Sequence, residues 1–184
     1  MNIMNNIKLT ACAIAVMFAA LFMNEAKASN YVDGDDDIAA TTLINVGDKA
    51  PDFTVTMLDG TKVTLSENQG KPTLVIFWAT WCPPCRQEMA HLQEGVIDIF
   101  GDKIRVLPIS RGEERATVEG FIQKMGYTFN VGLDTDQSIY KMYATNYVPR
   151  CFVVDVKGEV TYLAVGYDET VAEEVNAALK ALVK

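Results

Sequence analysis

Thr73 to Ala79 reads TLVIFWA, seven consecutive positions without a charge. A strand of that composition has no face for water, so it must lie inside a sheet that is covered on both sides. Directly behind it stand Trp81-Cys82-Pro83-Pro84-Cys85 and a stretch in which Met89, Leu92, Val96 and Phe100 recur every three or four residues. That spacing is the apolar stripe of an amphipathic helix. A doubly buried strand turning at once into such a helix restricts the chain to α/β architectures.

The flanking pattern agrees. Phe53 to Met57 alternates as a strand, Asp59-Gly60 turns the chain, and Lys62 to Leu65 alternates again, which predicts an N-terminal hairpin. Ile104 to Ile109 predicts a further strand. Val118, Phe121, Ile122 and Met125 predict an amphipathic helix closed by Gly126, a natural C-cap. A short helix is expected over Gln137 to Tyr143, and strands over Cys151 to Val156 and Val160 to Val165 flank Lys157-Gly158. The last helix sets Val171, Val175, Ala178, Leu179 and Leu182 on one face, with lysines in its final turn to match the helix dipole. Together these elements predict a mixed central sheet with helices on both faces. The sequence shows no internal repeat and no second domain.

Leu9 to Met23 is apolar, follows Lys8 and precedes Ala26-Lys27-Ala28. Charge, apolar core and A-x-A make the pattern of a signal peptide over 1–28, cleaved near Ala28; an uncleaved membrane tether is the alternative. At fifteen residues the run is shorter than the ~20 of a spanning helix. Leu9-Thr10-Ala11-Cys12 resembles a lipoprotein box, but nearly all of the apolar core follows the cysteine rather than preceding it. Residues 29–46, with Asp33-Gly34-Asp35-Asp36-Asp37, are expected as a flexible acidic leader, and 47–184 as the domain. Removing 28 of 184 residues leaves 156, takes Cys12 away and moves the net charge from −8 to −9. The acid excess argues against nucleic acid as a partner. A single histidine excludes a multi-histidine metal centre. An export signal also places Cys82, Cys85 and Cys151 where disulfides persist.

Cys82 and Cys85, separated by two residues at a strand-to-helix junction, carry the one strong chemical signal. Pro83 suits the first helical position because its missing N–H is not needed there. Cys82 then sits at the helix N-terminus, where free N–H groups and the dipole favour a thiolate, with pKa values lowered to roughly 3.5–7.5. This makes Cys82 the expected nucleophile and Cys85, one turn inside, the resolving thiol. The alternatives are a purely structural disulfide and half of a zinc site completed by Cys151 and His91.

WATWCPPC behind the TLVIF strand resembles the thioredoxin superfamily, and more narrowly its TlpA/ResA-like extracytoplasmic thiol–disulfide oxidoreductases. Val46 to Phe53 (VGDKAPDF) is similar to that branch's entry signature, and Leu58-Asp59-Gly60 to Gly70-Lys71-Pro72 to its hairpin and lead-in. Ile104 to Tyr147 resembles its central insertion, and Val148-Pro149 through Val153-Val154-Asp155 its cis-proline segment. The resemblance covers Val46 to Lys184. It implies a thioredoxin-like three-layer sandwich with an N-terminal β-hairpin and a central insertion.

By the same resemblance Glu88, three residues after Cys85, is the acid that shares protons with the buried thiol. Plain thioredoxin uses a strand aspartate for this, and Ile76 holds that place here. Pro149 is implied to be cis and to face the cysteines, and Trp81, Pro83, Pro84, Val148 and Pro149 are implied to contact the client. Arg150 and Cys151 replace the Thr-Thr that commonly follows this proline. Arg150 favours the Cys82 thiolate if it points that way, and Cys151 is either a small core residue or a third redox thiol. Ala90 stands where the family often has a kinking proline, so a straighter helix is expected.

The function expected from these residues is thiol–disulfide exchange with cysteine-containing exported clients, as a reductant, with a role in cytochrome c maturation and a membrane thiol electron donor. No cofactor beyond the Cys82–Cys85 pair is expected, and no metal. Two rivals stand beside it. One is a redox-silent module that binds extended peptides or proteins. The other is a peroxiredoxin-like peroxidase, which needs a threonine where Ala79 stands.

Overall fold

The computed structural model of the protein describes residues 36–183; the expected export signal, 1–28, lies outside the described residues. Among the described residues one mixed sheet is built from β1 (Thr54–Met57), β2 (Lys62–Thr64), β3 (Thr73–Trp78), β4 (Arg105–Arg111), β5 (Gly132–Asp134), β6 (Arg150–Val154) and β7 (Val160–Val165). Their spatial order is β2-β1-β5-β4-β3-β6-β7. Strand β3 runs parallel to β4, with Val75 opposite Leu107, and antiparallel to β6, with Ile76 opposite Cys151. Every residue of β3 is buried, as its uninterrupted apolar sequence requires.

Strand alternation divides the core in two. Leu74, Ile76 and Trp78 point to one face, where α2 (Pro83–Leu92), α4 (Arg115–Met125) and α6 (Glu169–Leu182) supply Met89, Val118, Ile122, Val171, Val175 and Leu179. Val75 and Phe77 point to the other, against Leu107, Ile109, Phe152 and the tyrosines of α5 (Tyr140–Tyr143). There the Phe77 and Tyr140 rings meet edge-on at 5.4 Å, and Tyr143 meets Phe152 at 5.1 Å. Each such buried side chain contributes about 1.5–3 kcal/mol. The helical layers are unequal, since the second face carries the short α5 together with the coil around Ile44, Ala50 and Phe53.

Five local expectations give way to tertiary contacts. The short helix starts at Tyr140 rather than Gln137, because Gln137 has φ 61° and the Asp134 carboxylate accepts the Ile139 and Tyr140 N–H groups at 3.1 and 2.7 Å. Strand β6 ends at Val154, because the Asp155 side chain accepts from the Lys157 and Glu159 N–H groups and turns the chain. Met125, expected on the apolar face of α4, is exposed one residue before the left-handed Gly126. The helix after the cysteines does not continue as a straight α-helix. It passes through a π-turn at Gln93–Ile97 into the short α3 (Asp98–Phe100).

The fifth difference concerns the leader. Its described part, 36–46, contains α1 (Asp36–Ala40), and Thr42 bridges Ala144. Arg150 explains this order. Its guanidinium is fully buried and donates to the Thr41 and Thr42 hydroxyls at 2.7 Å each and to the Asn146 carbonyl at 2.9 Å. It therefore ties the leader to the loop before Pro149 and does not point at Cys82.

Candidate active site

The chain leaves β3 at Trp78 and enters α2 at Pro83, and both cysteines lie on that junction. Cys82 is the N-cap of α2, with extended backbone, and its sulfur accepts the Cys85 N–H at 3.3 Å. Pro83 and Pro84 fill the first two helical positions, where no N–H is required. Cys82 and Cys85 form a disulfide with their Cα atoms 5.2 Å apart. Cys85 is fully buried and Cys82 nearly so, while the neighbouring Trp81 is 63% exposed.

The Val148–Pro149 peptide bond is cis. The Val148 carbonyl oxygen lies 3.4 Å from the Cys82 sulfur, an acceptor for the S–H once the disulfide is reduced. Around the cysteines Pro83 is exposed, Pro84 and Val148 are half-buried and Pro149 is buried. The structure thus gathers Trp81, Cys82, Pro83, Pro84, Val148 and Pro149 at one end of the sheet.

Glu88 lies one helical turn beyond Cys85 and faces inward, 6% exposed. Its Oε2 is buried and finds no hydrogen-bond partner. Burial pushes this carboxyl up from 4.5 to about 8, so it holds its proton at neutral pH. Cys151 opens from β6 into the same core, where burial, and after it the Glu88 charge, push its thiol up. A thiol in that environment stays protonated and acts as a small apolar residue.

A feature that sequence reasoning missed is the buttress under the cysteine loop. Glu113 is buried and accepts the Thr80 N–H and the Ser110 hydroxyl, each at 2.9 Å, and also the Thr80 hydroxyl. It fixes the residue two positions before Cys82 to the end of β4. Sequence spacing does not mark this glutamate, because Thr80, which it holds through two hydrogen bonds, lies 33 residues away.

Residues 46–163 match the family model described as the AhpC/TSA family. The chain belongs to this family. Its relatives give the branch: thiol-disulfide oxidoreductase ResA of Geobacillus kaustophilus is 31% identical over 82% of this chain and 87% of its own length. ResA of Bacillus subtilis is 28% identical over 67% and 69%. Among solved structures, StoA of Bacillus subtilis matches with a TM-score of 0.61, at 25% identity over 70% of this chain and 96% of its own. A structure from Bacteroides thetaiotaomicron provisionally named a protein disulfide isomerase matches with a TM-score of 0.70, at 31% identity over 76% and 93%. The protein is a ResA-like thiol–disulfide oxidoreductase with a thioredoxin-like fold. Cys82 and Cys85 stand at disulfide distance in it.

Proposed function

We propose that the protein is exported, works outside the cytoplasm, and reduces disulfides of cysteine-containing client proteins through Cys82 and Cys85. The observation that carries this reading is the position of Cys82: it caps α2, borders the Val148 carbonyl and lies beside exposed Trp81. Helix N-cap geometry favours its thiolate, and the surrounding Trp81, Pro83, Pro84, Val148 and Pro149 offer an extended client its contact surface.

In the reduced enzyme the Cys82 thiolate attacks one sulfur of the client disulfide and expels the other as a thiolate. Glu88, neutral at rest, first releases its proton to solvent, and the Cys85 thiol then gives its own proton to the Glu88 carboxylate. The resulting Cys85 thiolate attacks the Cys82 sulfur, and the second client thiolate leaves. The client has gained two electrons, the pair has lost two, and both client thiolates take protons from water. Reduction of the pair by a donor dithiol runs the same steps backwards, with Glu88 returning a proton to Cys85 as its sulfur leaves. A carboxyl pushed up to about 8 is a stronger base than an ordinary glutamate, which suits it to accept a proton from a thiol.

No cofactor beyond the cysteine pair enters this scheme. A membrane thiol donor supplies the electrons, and apocytochrome c awaiting haem attachment fits as a client. Among the described residues no helix is long and apolar enough to cross a membrane. Cleavage near Ala28 releases the domain, and mass spectrometry of the mature protein checks it: a start at Ser29 supports release, and an intact Met1 a tether. The activity is tested by measuring the potential of the pair and comparing insulin-disulfide reduction by wild type and Cys82→Ser. Loss of turnover in the variant with a reducing potential supports the reading; surviving turnover refutes it, and a strongly oxidising potential reverses the direction.

A further inference from the structure

Glu88 borders a small cavity of about 20 Å³ lined by Leu74, Ile76, Leu92, Val96, Ala172 and Val175 in addition to His91 and Tyr167. A volume of roughly 10–15 Å³ suffices for one water, provided two to four polar groups face it. The polar side chains here are Glu88, His91 and Tyr167. Glu88 is buried with an unpartnered oxygen, Tyr167 is half-buried, and His91 alone of the three is exposed. His91 is also the single histidine of the sequence.

A Cβ on Gly95 would fall 1.9 Å from Nε2 and 2.1 Å from Cδ2 of His91, so the ring lies against the glycine backbone of the π-turn. Its other neighbour is the Tyr167 ring, with centroids 6.5 Å apart. His91 thus spans the wall between the Glu88 cavity and solvent.

This arrangement answers a need of the proposed reaction, on which the inference rests. At rest Glu88 is a neutral acid, yet it must be a carboxylate before it can take the Cys85 proton. Its proton needs a path out through an otherwise apolar wall. We infer that His91 is that path: through one water in the cavity the Glu88 proton passes to the imidazole and on to solvent, leaving the carboxylate ready for Cys85. The same route returns a proton afterwards. Imidazole is the side chain that takes and gives protons between pH 5 and 8. His91 acts through Glu88 and does not touch the sulfurs.

The other ionisable groups around this site belong to separate elements. Cys85 is on α2 with Glu88, Cys151 faces Glu88 from β6, and Tyr167 precedes α6. Tyr167 is pushed up to about 12 by burial and by the charges of Glu88, Asp168 and Glu169, so it keeps its proton. From β3 and α6 the wall is apolar, with Leu74, Ile76, Ala172 and Val175.

The test mixes the reduced full-length protein, carrying Cys12→Ser in every variant, with 5,5′-dithiobis(2-nitrobenzoate) in a stopped-flow instrument and follows the two thiolates released. The first reports attack by Cys82 and the second reports resolution by Cys85. General acid–base groups contribute about 10²–10⁴-fold, and loss of the path with the acid still present is expected to slow the second phase about tenfold in His91→Gln. The first phase stays unchanged, and added imidazole restores the second. Glu88→Gln slows the second phase by itself, and His91→Gln adds nothing to it. A second phase at the wild-type rate in His91→Gln, a loss that imidazole does not rescue, or additivity in the double variant overturns the inference while Glu88 keeps its role. A wild-type second phase in Glu88→Gln overturns the Glu88 reading and the inference with it.

Discussion

Replacing Glu88 with glutamine removes an ionisable group from the core and keeps its size, so the pH dependence of stability changes in a calculable way. In the unfolded chain the carboxyl ionises at its ordinary value of 4.5; in the folded, oxidised protein burial holds the proton until about 8. The unfolded state therefore loses its proton first, and the Glu88 contribution to stability falls as pH rises through that window. The slope is close to 1.36 kcal/mol per pH unit between about 5 and 8, which sets a ceiling of about 5 kcal/mol and a loss of about 2.5 kcal/mol from pH 5 to pH 7. Water entering the cavity would lessen the figure without changing its sign. The assay is urea unfolding of the oxidised protein at half-unit steps from pH 5 to 9, wild type beside Glu88→Gln. Other groups titrate alike in both proteins, so the difference isolates residue 88. The variant pays a constant cost for its own unpaired amide, and its stability gains on wild type by at least about 1.2 kcal/mol between pH 5 and 7 if half the slope survives. Parallel curves across the range would refute a neutral, buried Glu88 and the proton chemistry built on it.

Three further outcomes follow from the contacts. Glu113→Gln leaves one oxygen where a carboxylate serves three donors; urea unfolding at pH 7 should show a loss of about 1.5–3 kcal/mol, and under 0.5 would contradict the buttress. Arg150→Leu strips the Thr41 and Thr42 hydroxyls of their donor and should cost about 3 kcal/mol. In that variant the Leu43 amide, bonded to Tyr143 at 3.0 Å, should exchange with solvent faster; unchanged protection would contradict the clamp. Gly95→Ala pushes the exposed His91 ring off the helix backbone and, with helix propensity gained, should change stability by less than about 1 kcal/mol while the His91 ring protons shift in the NMR spectrum; unshifted ring protons would place the ring elsewhere.

How much of this was legible in the sequence depends on how local the cause is. The buried strand, the cysteine junction and the Gly126 cap were readable because burial on two faces, a missing proline N–H and a left-handed residue each act within a few positions. Arg150 could have been placed as well: strand alternation points it away from the face that Cys151 shares with α2. The start of α5 was not readable, because Asp134 reaches across the intervening turn to claim two amides. Nor was the π-turn, where the packing of His91 on Gly95 is a contact of the folded helix. Glu88 was singled out by resemblance, but its neutral state depends on burial among side chains from β3, β6 and α6, which no spacing reveals.

The central claim is the order of events, with Cys82 attacking and Cys85 resolving. It is tested most directly with Cys85→Ser, reduced and mixed with a disulfide-bonded peptide, followed by mass spectrometry of the digested adduct. The account predicts a stable mixed disulfide on Cys82, formed at close to the wild-type rate, with Cys151 unmodified. An adduct on Cys151, or no adduct while the peptide is still reduced, would contradict it.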